Sequence, residues 1–256
     1  MTRQGPRGDA DVMFTTPRQA ATTIAANPRL ARGSDERFTG YGAMGVPFIG
    51  GCHLGLRDMV ASSLGTPYRT VWYRDPMGRW TIFTSVDPDV SCPRYFGSVT
   101  AVERVPAIDV TWRDDWTVDV TIGARLSWRM RLGATPATRS MTMLGGATPP
   151  LAWNSTAVLG AMSPMAGGVL RSGRIRLRGR TPNGPSFKMA PLRVWRVVGG
   201  SATLDGNDLG AMGPLAQQAH LGDFWLPQRG LFFAGRARFT AATPATEAPR
   251  EMADLR

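Results

Sequence analysis

The rhythm of apolar and polar positions changes near Tyr68. Ahead of it the signals are helical. Thr16-Pro17-Arg18-Gln19 has the form of a capping box with proline at the first helical position, and predicts a helix ending near Asn27-Pro28. Leu56, Met59, Val60 and Leu64 recur at helical spacing and predict a second helix, stopped by Gly65 and Pro67.

After Tyr68 the apolar runs shorten, alternate and are punctuated by turn residues, the signature of antiparallel strands. Residues 70–74 and 79–86 flank Asp75-Pro76-Met77-Gly78, where proline presets one turn dihedral and glycine supplies the positive one. Residues 108–113, 116–122 and 126–132 read as a meander with a turn at Gly123-Ala124-Arg125. Face matching selects the register of that turn. A two-residue loop would set Val120 against Ser127 and Asp119 against Trp128. A three-residue loop pairs Val120 with Trp128, Ile122 with Leu126 and Val118 with Met130, leaving Asp119 opposite Arg129.

Residues 173–180, 186–190, 192–198 and 231–240 continue the pattern, with Thr181-Pro182-Asn183-Gly184 as a further turn. Some eight to ten short strands favour a closed or nearly closed antiparallel β-barrel, because closure removes exposed edges. The expected organisation is a mainly β domain over 36–242 with two or three short peripheral helices. A flexible arm over 1–35 and a flexible tail over 243–256 flank it.

Composition then removes whole classes of function. Two cysteines, Cys52 and Cys92, among 256 residues exclude a disulfide scaffold, and without a C-x-x-C pair they exclude a cysteine-rich zinc framework. With His53 and His220 as the only histidines, no multi-histidine metal centre is expected, and no cofactor is implied. The net charge of +11 rests almost wholly on arginine, since Lys188 is the single lysine. Its placement matters more than its size: residues 120–204 hold twelve basic side chains and no acid. That excess must form one surface or line one cavity.

The first dozen residues lack the apolar stretch of a secretory signal, Met13 offers a second candidate start, and a cytoplasmic location follows by default. Residues 140–170 are uncharged, but Pro149, Pro150, Pro164 and five glycines deny them the ~20 continuous apolar residues of a spanning helix. Such a segment cannot easily lie in water, and is expected to plug or cap a cavity. Three motif matches fail on context. Gly40-Tyr41-Gly42-Ala43-Met44-Gly45 fits a dinucleotide fingerprint by letter, but a polar stretch precedes it and Pro47 follows, so it reads as a glycine-rich loop. Ala61-Ser62-Ser63-Leu64-Gly65 would be a nucleophile elbow only at a strand-to-helix turn. Asp205-Gly206-Asn207-Asp208 starts like a calcium loop, yet Ala216 stands where a glutamate is needed, leaving a tight turn.

Three signals survive. Arg174, Arg176, Arg178 and Arg180 alternate with Ile175 and Leu177, so a strand would place four guanidinium groups on one face, solvated or answered by an anionic or acidic partner. Nucleic acid is not expected, since lysine is nearly absent and no aromatic-plus-basic recognition motif occurs. Methionine and tryptophan form the second signal, because Met141, Met143, Met162 and Trp153 crowd the uncharged segment and methionine lines adaptable sites. The third is His220-Leu221-Gly222-Asp223-Phe224-Trp225 with Arg229 close behind, in which His220 and Asp223 are candidates for acid–base catalysis. His53 and Tyr95 are weaker candidates of the same kind.

Arg69-Thr70-Val71-Trp72-Tyr73, Asp223-Phe224-Trp225 and Gly235-Arg236-Ala237-Arg238-Phe239 together resemble the lipocalin-like proteins related to carotenoid hydratases, over about residues 68–240. Those proteins carry an Asp-His-x-Trp-Gly run late in the chain, whereas here His220 precedes Asp223 and no glycine follows Trp225. The resemblance implies an apolar cavity for a lipid- or isoprenoid-like compound, in some members with hydration or isomerisation activity. The expected function is therefore binding of a hydrophobic small molecule in a barrel lined by Trp72, Trp128, Met141, Met143, Trp153, Met162 and Trp225, with Arg229 orienting a polar end. The rivals are a cofactor-independent hydratase or isomerase using His220 and Asp223, and a structural protein whose arginine face docks an acidic partner.

Overall fold

The computed structural model describes residues 15–240; most of the expected arm ahead of the first helix, including Met13, and the whole tail over 243–256 lie outside the described residues. The fold is mainly β. Its strands are β1 (Glu36–Pro47), β2 (His53–Ser62), β3 (Tyr68–Arg74), β4 (Trp80–Thr84), β5 (Ala101–Arg104), β6 (Asp109–Trp112) and β7 (Thr117–Ile122). They continue as β8 (Leu126–Gly133), β9 (Arg178–Arg180), β10 (Ser186–Leu204), β11 (Asn207–Asp208), β12 (His220–Leu221), β13 (Phe224–Trp225) and β14 (Leu231–Phe239). The helices are α1 (Pro17–Ala26), α2 (Pro93–Phe96), α3 (Pro136–Ala147) and α4 (Thr156–Val169).

One large sheet runs in the order β5-β4-β3-β2-β1-β14-β10-β8-β7-β6, with β9 and β11 pairing β10, while β12 and β13 form a separate hairpin. It is mixed rather than all antiparallel, because β4 and β5 run parallel and the crossover between them carries α2. The hydrogen-bonded path is open: it ends at β5 and β6, so the expected closed barrel is not formed by the ladder. The sheet nevertheless has to curl. Ten flat strands would hold the two edges ~43 Å apart, whereas the four residues 105–108 that join β5 to β6 span ~17 Å at most. Side chains bridge the gap, for the Arg125 guanidinium between β7 and β8 pairs with Glu103 of β5 and lies over the Phe83 ring of β4.

The inner side of the curl is filled. Leu54, Leu56, Val71, Val118, Val120, Trp128, Met130 and Phe232 are all within 1% of complete burial and belong to one cluster, joined by Ala20 and Ala21 of α1. The outer side of β8 meets water, since Ser127, Arg129 and Arg131 are exposed between buried neighbours. A second apolar layer on the outer side of β1, β10 and β14 is covered by α3, α4 and the segment bearing β12 and β13. The hollow expected at the centre of the strands is thus occupied by the protein's own side chains.

Local chemistry placed several elements as read. Thr16 and Gln19 form the capping box of α1, and the β3–β4 hairpin turns at residues 75–78. The β7–β8 register is the three-residue one, with Val120 opposite Trp128 and Asp119 opposite Arg129. Four expectations need correction. Residues 56–64 are not helical: β2 is buried on both faces, so it has no two-residue period for the sequence to display. The glycine-rich stretch 40–45 is not a loop but the middle of β1, where a Cβ on Gly40 would stand 2.0 Å from the Asp58 carbonyl oxygen. Arg174 and Arg176 lie ahead of β9 rather than in a strand. Residues 140–170, for which no helix was expected, supply most of α3 and α4. Caps open both helices, with Thr135 and Thr138 forming a capping box for α3 and Ser155 accepting from the Val158 amide in α4. Among the described residues no helix is long and apolar enough to cross a membrane.

Candidate functional site

The helix pair makes a cap over the outer apolar layer. Gly145 lets α3 lie directly on β10, because a Cβ there would come within 2.7 Å of the Leu192 carbonyl oxygen. Pro164 removes one backbone donor inside α4, and the neighbouring Ser163 hydroxyl donates to the Leu159 carbonyl while accepting from the Leu177 amide.

Beneath the cap lies a hollow walled almost entirely by carbon and sulfur. Met141, Trp153, Met162 and Leu170 face it from the cap, and Met44, Val194 and Phe233 from the sheet. Its free volume is about 30 Å³, room for about one water molecule. Trp153 divides it from a second space, a groove of about 250 Å³ whose polar side is Arg32, Lys188, Arg236 and Arg238 and whose apolar side is Pro150, Leu151 and Leu192. Trp153 lines both spaces, and its buried indole N–H has no acceptor. Lys188 Nζ donates to the Asn154 carbonyl at 2.7 Å, tying the groove to the cap. Arg238 donates to the Arg32 carbonyl at 2.7 Å and stands 3.8 Å from Asp35, while Arg236 has no acidic partner among the described residues.

The structure therefore gathers Met141, Trp153 and Met162 around one space and disperses the other expected ligand contacts. Trp72 is deep in the outer layer against Phe96 and Trp80. Trp128 belongs to the filled inner cluster, its indole N–H also without an acceptor. Met143 points to solvent, and Arg229 is exposed beside Arg196, whose pKa burial lowers and Arg229 lowers further. Trp225 stacks on His220 at 4.4 Å, with the Arg174 guanidinium over its ring.

His220 and Asp223 sit on the β12–β13 hairpin, but each is engaged elsewhere. His220 is exposed, and its Nδ1 meets the Gly222 carbonyl at 3.1 Å. The Asp223 carboxylate pairs with Arg176 and accepts from the Arg180 amide. Tyr95 is buried with its hydroxyl donating to Glu36, which Arg94 also holds; burial, then that hydrogen bond, push the phenol up. His53 is enclosed, and burial lowers its pKa to about 3, helped by the nearby Arg74 and Arg57 charges. Among the described residues no cluster of three or more His, Cys, Asp or Glu could hold a metal ion.

Two features of the site escaped the sequence. Lys188 and Arg236 were scattered cations until β10 and β14 paired, although a single lysine in an arginine-rich chain was a visible oddity. Arg57 is the other. It is 2% exposed, faces the rings of Trp72, Phe224 and Phe233, and donates to the carbonyls of Ala43, Met44 and Leu56. Pairing of β1 with β2 skips from Tyr41 to Val46, and the guanidinium fork serves the carbonyls within that gap. Comparison with protein families, curated proteins and solved structures yields no match.

Proposed function

We propose that this protein binds an amphipathic anion, a fatty-acid- or isoprenoid-like molecule with one acidic end. Its tail lies in the methionine-walled space under the α3–α4 cap, and Lys188 and Arg236 hold its head. The observation that carries the reading is Trp153, which lines both the apolar hollow and the cationic groove and whose buried indole N–H has no acceptor. Such a donor is unpaired at a cost of about 1–3 kcal/mol, which a carboxylate oxygen arriving from the groove would relieve. The hollow must widen to admit a tail, and the cap suits that task. Gly145, Gly146, Gly160, Gly167, Gly168 and Pro164 all lower helix propensity, so α3 and α4 depend on packing more than on their own stability.

In this reading the sheet is a nearly closed, lipocalin-like barrel with an unpaired seam between β5 and β6, supported by the short link and the Arg125 bridge across it. The guest's place is outside the barrel wall, because the interior is full. No contact favours the hydratase alternative, since Arg176 occupies Asp223 and His220 stacks on Trp225 at the surface.

The test is titration of long-chain fatty acids and the matching alcohols against tryptophan emission, in the native protein and in Trp153→Phe. A saturable change is expected with the acid, with about tenfold weaker affinity in Lys188→Ala or Arg236→Ala and no such loss for the alcohol. Equal binding of acid and alcohol, or no saturable change with either, refutes the proposal.

A further inference from the structure

The outer side of the same cap carries a separate feature. α4 is apolar around its circumference: Leu159, Met162 and Ala166 face inward, and Ala157, Ala161, Pro164, Met165, Gly168 and Val169 face water. A helix hydrophobic all round belongs in a core or a membrane. Here Met165 and Val169 are 42% and 44% exposed, and Met143 of α3 and Leu151, in the α3–α4 connection, are 56% and 82% exposed. No charged residue occurs between Arg139 and Arg171.

Cations border this apolar surface on two sides. Along α4 runs a groove of about 540 Å³ between Gly160, Pro164 and Gly167 on the helix and Arg174, Arg176 and Arg178 opposite. The Arg178 guanidinium lies so close that a Cβ on Gly160 would be 3.2 Å from it. At Leu151 the cationic groove with Arg32, Lys188 and Arg236 forms the other border. Asp223 pairs with Arg176, and residues 120–204 offer no acid to the rest.

We propose that this face docks on an anionic lipid bilayer, with Leu151, Met165 and Val169 entering the acyl boundary and the bordering arginines holding headgroups. An acidic protein would match the arginines but leave a long uncharged surface unanswered. A bilayer supplies both parts, a negative layer over hydrocarbon. The cap lies on the surface and does not span it. The groove with Lys188 and Arg236 borders both sites, but the exposed side of α4 and Arg174, Arg176 and Arg178 lie outside it, so a protein that captures no fatty acid can still sediment with vesicles.

The experiment is co-sedimentation of the full chain with vesicles of phosphatidylcholine alone and with about one third phosphatidylglycerol, at low salt and at about 0.5 M. Capture by the anionic vesicles only, lost in high salt, is expected. Leu151→Asp combined with Met165→Asp should abolish it, while Arg174→Glu and Arg178→Glu, in the groove along α4, should each weaken it about fivefold. All four positions are exposed, and circular dichroism checks that the variants fold. Three results overturn the proposal. They are no capture or equal capture by the neutral vesicles, a dimer abolished by Met165→Asp in a protein that ignores vesicles, and polyglutamate binding that matches vesicle binding and survives Leu151→Asp.

Discussion

His53 makes the stability of this protein sensitive to mild acid in a way that can be worked out from its surroundings. The ring is 1% exposed and packs against Gly45, where a Cβ would come within 2.2 Å of the imidazole, and against the edge of Trp80. Its Nε2 lies 3.3 Å from the Pro227 carbonyl, so the tautomer that donates there leaves Nδ1 with no partner. A second proton would have to enter at Nδ1, in a place without an acceptor and near the Arg74 and Arg57 charges, and burial accordingly lowers the pKa from 6.5 to about 3. Above about pH 6.5 both folded and unfolded chains hold a neutral ring, and the group has no effect on stability. Below it the unfolded chain takes up a proton that the folded one refuses. Stability then falls by about 1.4 kcal/mol per pH unit until about pH 3. At pH 4.5 the loss is on the order of 2–3 kcal/mol. The assay is urea denaturation at pH 7 and pH 4.5 of the native protein and of His53→Gln, whose amide can donate to Pro227 but does not titrate. The native protein should lose 2–3 kcal/mol more than the variant between the two pH values, on the order of the linkage figure. Losses that agree within about 1 kcal/mol would refute the reasoning.

Arg57→Lys keeps the buried charge but loses the planar fork that donates to Ala43, Met44 and Leu56 and lies over Trp72, and should destabilise the fold by about 1–3 kcal/mol in the same urea assay. Gly145→Val forces α3 away from the Leu192 carbonyl; a loss of about 1–3 kcal/mol with increased binding of a hydrophobic dye is expected, and an unchanged melting curve would contradict the close packing of the cap. Asp119→Asn breaks pairs with Arg113 and Arg129, whose side chains are more than half exposed, so the cost should stay near 1 kcal/mol and shrink in high salt.

Where local rules acted alone, the sequence was legible. The α1 capping box, the turn at residues 75–78 and the β7–β8 register depend on side chains a few positions apart, and β8 shows its period because one face is wet. The Arg174–Arg180 alternation likewise survives as buried Ile175 and Leu177 between exposed or half-buried arginines, even where no strand forms. Part of the candidate site was visible for the same reason: Met141, Trp153 and Met162 lie in one uncharged segment that had to be covered.

Only the tertiary structure decided the rest. β2 is enclosed by β1 and β3 with both faces buried, which erases the period that separates strand from helix. α3 and α4 are held by the surface under them and by glycines that permit backbone contact, against their own weak propensity. Insertion of β14 between β1 and β10 brought Arg236 to Lys188, and Phe233 to Met44 from the opposite end of the chain. Whether a curled sheet is hollow or full depends on the summed volume of side chains arriving from every strand. That sum is a property of the packed molecule, and no window of sequence contains it.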